Sequence, residues 1–103
     1  MIISFIVLFF SGAFLCNSLP HLVAGLQGRP FPTPFAQPRG VGESPAMTNF
    51  LWGFLNLVIG VLLLSRQRLN VDFYPNLTAL LLGIFVMGLY LAYRFAQVRG
   101  GRP

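Results

Sequence analysis

Lysine is absent from this sequence, and acidic residues nearly so: Glu43 and Asp72 are the only two. There is one cysteine, Cys16, and one histidine, His21. Charged residues make up 9% of the chain, where a globular domain in water carries about 25%. With 103 residues, a domain that small leaves much of its surface exposed after folding, so the shortfall excludes an ordinary soluble protein. The lone cysteine excludes an internal disulfide and leaves the redox compartment undefined. Cys16, His21, Glu43 and Asp72 are the whole stock of cysteine, histidine and carboxylate side chains, too few and too scattered to predict a metal site or a cofactor. General acid–base chemistry has an equally thin inventory: His21 is the single candidate base, alone or with Glu43.

What the chain has instead is long apolar runs. Residues 1–19, 47–65 and 77–93 contain no charged side chain, and hydrophobic residues make up 55% of the whole. At the helical rise these runs reach roughly 26–28 Å, close to the hydrocarbon thickness of a bilayer. The expected fold is all-α, a membrane-spanning three-helix bundle in one domain covering 1–103, with helices at about 1–19, 47–65 and 76–96. Residues 1–19 lack a basic start, and Asn17-Ser18-Leu19-Pro20 is a poor cleavage signal. They are therefore expected to remain as the first helix, not to be removed as a signal peptide.

The net charge of +5 rests on seven arginines: 29, 39, 66, 68, 94, 99 and 102. Each flanks or links an apolar run, which points to lipid headgroups and not to nucleic acid. Arg29, Arg39, Arg94, Arg99 and Arg102 fall on one side of the membrane, with Arg66, Arg68 and the terminal amine opposite. The positive-inside bias then predicts a multi-pass protein of the cell membrane, N-terminus out and C-terminus in.

Between the first two runs, residues 20–46 hold six of the eight prolines (20, 30, 32, 34, 38 and 45) and Gly25, Gly28, Gly40 and Gly42. Pro20 predicts a helix end at Leu19, and the proline density argues against a regular helix or a sheet ladder beyond it. His21 to Leu26 have the composition for a turn or two of interfacial helix. Phe31-Pro32-Thr33-Pro34-Phe35 sets two rings on a stiff backbone. A flexible tether is richer in serine and charge, so this Pro/Gly/Phe-rich loop is expected to fold back on the bundle as an ordered lid. The second helix is expected to be capped by Thr48 or Asn49, the third to open at Pro75-Asn76, and Asp72 to pair with Arg66 or Arg68.

Small and polar residues mark the helix seams. Gly53, Asn56 and Gly60 share one face of the second helix, Ser4, Ser11 and Ser18 recur every seventh residue, and Ala79 and Gly83 form a small-xxx-small pair. Such faces let backbones approach closely, and Asn56 must find a partner in protein.

The combination of Asn17, Pro20-His21, the Phe31–Phe35 segment, Gly42-x-Ser44-Pro45 and Asn49-x-x-Trp52-Gly53-x-x-Asn56 resembles uncharacterised small bacterial multi-pass membrane proteins with a Pro-His and Phe-x-x-Pro-Phe first loop. The resemblance covers about the first 60 residues and implies no activity, only that the loop belongs to the fold. His21, Arg29, Phe31, Phe35, Trp52 and Asn56 are the candidate ligand-binding residues. The leading expectation is a binding or accessory protein holding a lipid-like apolar ligand, or docking a membrane-protein partner or a second copy of itself. The alternatives are a holin-like pore former and a membrane enzyme that uses His21 as base.

Overall fold

The computed structural model describes residues 2–67 and 72–101. Arg68, Arg102 and the terminal amine, counted above for orientation, lie outside the described residues. The elements run α1 (Ile2–Leu26), β1 (Phe31–Pro32), β2 (Glu43–Ser44), α2 (Ala46–Ser65) and α3 (Phe73–Val98). The three helices, of 25, 20 and 26 residues, are all long and apolar enough to cross a membrane. They pack with α1 in the middle: it touches both α2 and α3, which make little contact with each other. Large apolar side chains such as Ile6, Phe10, Leu51, Leu62, Leu81 and Phe85 face outward, which suits lipid as solvent.

The seams lie where the small residues predicted them. A methyl group built on Gly83 would strike the carbonyl of Phe9, and one on Gly12 that of Leu80, so backbones set the distance between α1 and α3. Ala79 is fully buried there. Across the other seam, a methyl on Gly53 would stand 2.8 Å from the Leu22 nitrogen, and one on Gly60 2.7 Å from the Leu15 side chain. Ser11 Oγ donates to the Gly60 carbonyl at 2.7 Å, joining α1 to α2. Ser18 is equally buried but donates back to Leu15 of its own helix at 2.6 Å. Asn56 finds its partner in Asn17, whose Nδ2 donates to Asn56 Oδ1 at 3.0 Å. Interhelical bonds of this kind are worth ~0.6 kcal/mol. Asn56→Ala is accordingly expected to lower unfolding stability only slightly; a loss of several kcal/mol in detergent unfolding would contradict that role.

Four local expectations are corrected. The first helix does not stop at Leu19 but runs through Pro20 to Leu26. Pro20 removes one backbone bond, yet the turn beyond it is held by tertiary contact: His21 and Ala24 are buried, and Gly25 lies against the backbone of Phe50 on α2. A ladder does form in the loop, although only two residues long, with Phe31 opposite Ser44 and Pro32 opposite Glu43; a short edge is where proline is tolerated. The N-cap of α2 is Pro45, with no side-chain cap, and Asn49 serves the loop instead. Helix α3 opens at Phe73, placing Pro75 inside the first turn, where its missing N–H costs nothing. Among the described residues Asp72 has no ion pair with Arg66.

Candidate functional site

The loop is fastened by one side chain. Asn49, completely buried, points its Nδ2 at the carbonyls of Phe31 and Ser44, each at 3.0 Å, and of Pro45 at 3.2 Å. Carbonyl oxygens only accept, so the amide orientation is settled by chemistry. Asn49 Oδ1 therefore faces Nδ1 of His21, 2.8 Å away, and can only accept from it. Neutral His21 must carry its proton on Nδ1, which leaves the Nε2 lone pair as an acceptor. Among the described residues Nε2 has no hydrogen-bond partner, and it is not sealed from open space. The ring is held edge-on by Phe31, Trp52 and Phe95, at centroid distances of 5.5, 6.5 and 6.3 Å.

His21 lines a cleft of about 140 Å³ whose other walls include Thr33, Trp52, Tyr90 and Arg94. The loop forms one side, closed by Thr33 bonding to Ser44 and by Arg94 Nη2 donating to the Gly40 carbonyl at 3.5 Å. Neither Glu43 nor Asp72 borders the cleft, so among the described residues Arg94 faces it without a compensating carboxylate. A second hollow of about 440 Å³ opens between the helices, lined by Phe9, Phe14, Val86 and Met87. Asn17 and Tyr90 border both spaces. An apolar groove thus lies beside a polar cleft, with Asn17 and Tyr90 forming part of the wall of each. Asn56 Nδ2 donates to the Trp52 carbonyl at 2.8 Å, which turns Asn56 Oδ1 toward Asn17 Nδ2. That leaves Asn17 Oδ1 as an acceptor with no partner among the described residues.

Of the six residues expected from sequence, His21 and Trp52 line the polar cleft and Asn56 the apolar groove. Phe31 is a wall for His21, its ring tilted by 59° against that of Phe95 with centroids 4.6 Å apart. Phe35 is 61% exposed, with its ring 5.0 Å from that of Trp52, and lies at the rim. Arg29 is not part of this site; it borders a separate cleft with Gln27 and Arg99. Glu43 is exposed on β2 and is no partner for His21. Asn49, Asn17, Tyr90 and Arg94 were missed. Asn49 shares a helix face with Trp52 and Asn56, a spacing legible in the sequence. Tyr90 and Arg94 read simply as interface markers, and nothing local ties them to His21, more than 60 positions away.

The fold and its outward apolar faces define a small multi-pass membrane protein with an ordered loop on one side. Set against family models, curated proteins and solved structures, the chain has no significant match in any of the three. Its class therefore rests on its own helices, and the resemblance of the first loop gains no support from them.

Proposed function

We propose that this protein binds a lipid-like amphiphile, the apolar chain lying in the α1–α3 groove and the polar end beneath the loop. The adjacency of the two spaces, which share Asn17 and Tyr90 as wall residues, carries this reading. Pockets that bind small molecules are mostly apolar with a few convergent polar groups, and here the polar groups converge at one end only. The ordered loop, tied down by Asn49 and closed by Arg94, favours a binding site over a lesion-forming pore. Native mass spectrometry from mild detergent tests it. One lipid mass per chain is expected for the wild type. Val86→Trp, which fills the groove from a half-exposed position, should lose that mass while the protein remains folded. Wild-type protein that is free of lipid, or that carries one stoichiometric membrane-protein partner instead, would overturn the lipid reading.

The arginine distribution supports an orientation with the loop and cleft on the cytoplasmic side. In a Cys16→Ala background, Ser65→Cys should react with a membrane-impermeant maleimide on intact cells, whereas Gln27→Cys should react only after permeabilisation. The reverse pattern would invert the topology.

A further inference from the structure

We infer that the polar end of the bound amphiphile is a phosphate monoester. This rests on the amphiphile reading above and adds the chemistry of the headgroup.

The cleft brings together an unusual pair. Arg94 is a permanent cation; among the described residues no carboxylate borders its cleft, and its one hydrogen bond is a long one, 3.5 Å to Gly40. Its remaining donors suit an anion, and guanidinium matches phosphate by shape as well as charge. His21, 3% exposed, offers the opposite function: Asn49 holds its proton on Nδ1, so neutral Nε2 accepts. A ligand satisfying both must present negative charge and a hydrogen-bond donor within one small group. A phosphate monoester does this in its singly protonated form, with charged oxygens toward Arg94 and its P–OH toward Nε2. Its second ionisation lies near pH ~6, so the singly protonated form is present near neutral pH.

Charge and hydrogen-bonding capacity exclude the main competitors. A quaternary ammonium headgroup would set a cation beside Arg94. A simple carboxylate satisfies Arg94 but, ionised, offers Nε2 no donor.

Trp52, the only tryptophan, lines this cleft and reports on its occupancy. The protein in phosphatidylcholine nanodiscs is titrated with hexadecyl phosphate, hexadecanol, palmitate and inorganic phosphate, following Trp52 emission. Hexadecyl phosphate is expected to saturate at one per chain and to bind about tenfold or more tighter than hexadecanol, the factor one charge-assisted bond supplies. Arg94→Gln should abolish that preference; because Arg94 also bonds the Gly40 carbonyl, the readout is the ratio of the two affinities and not either one alone. His21→Gln should reduce the preference over palmitate, and its folding is checked by an unchanged far-UV circular dichroism spectrum. Equal binding of phosphate and alcohol would overturn the headgroup while sparing the groove. Binding of neither chain compound would overturn both. Inorganic phosphate binding as tightly as the alkyl phosphate would make the site one for free anion, and palmitate binding best would replace the phosphate with a carboxylate.

Discussion

Gly83→Leu is expected to separate α3 from α1. Overpacking of a core ordinarily costs ~1–3 kcal/mol because side chains can shift aside. At Gly83 the obstacle is the backbone of α1, the Phe9 carbonyl and the Ala13 nitrogen, which cannot move without the whole helix. The cost should therefore lie at or above the upper end of that range, about 3 kcal/mol or more. Because α3 makes little contact with α2, only its end near the loop, through Arg94 and Phe95, has another anchor. Thermal unfolding in detergent should show a large drop in midpoint, with loss of the bound lipid, since Gly83 also borders the groove. Gly88, whose added methyl would meet nothing nearer than the Cys16 sulfur at 3.7 Å, is the control: Gly88→Ala should be nearly silent. A wild-type midpoint for Gly83→Leu would refute the backbone contact.

Asn49→Leu should release the loop. The substitution keeps roughly the same volume but removes the donors that hold the carbonyls of Phe31, Ser44 and Pro45, and the acceptor for His21 Nδ1. Each buried group left unpaired costs ~1–3 kcal/mol. Part of that cost is avoided if the loop lifts into water. The expected consequence is therefore local opening and not global unfolding. Tryptic cleavage after the exposed Arg39 should accelerate by roughly thirtyfold, the factor that ~2 kcal/mol of lost protection implies. Asn49→Asp separates the two halves of the interaction. It retains an oxygen for His21 but turns a second oxygen on the three carbonyls, so the loop should be at least as exposed as in Asn49→Leu. Wild-type protection in Asn49→Asp would mean that the carbonyl bonds do not hold the loop.

Much of this architecture was legible in the chain. The three apolar runs became α1, α2 and α3, and the small faces at Gly53, Gly60, Ala79 and Gly83 became the seams. Those features are local: hydropathy and side-chain size act wherever the residue stands. The errors fall where a distant contact overrides a local rule. Pro20 should end a helix, but the next turn is buried against α2 and continues. Asn49 sits where a cap belongs and instead reaches into a loop that precedes it. Glu43 is the acid nearest His21 in the expected site, yet the ladder with β1 leaves it facing outward.

By itself, then, the sequence determined the solvent. A chain with two acids and three uncharged runs belongs in lipid because water cannot accommodate so much apolar surface on so small a domain. It also determined which helix faces meet, since small residues are the ones that let backbones close. Which residues meet His21 was decided by tertiary structure alone. Its Nδ1 proton is set by Asn49, whose amide is oriented by loop carbonyls, while Arg94 arrives from the last turns of α3. Hydrogen-bond direction depends on which groups stand opposite one another in space, and that arrangement exists only once all three helices and the loop have packed.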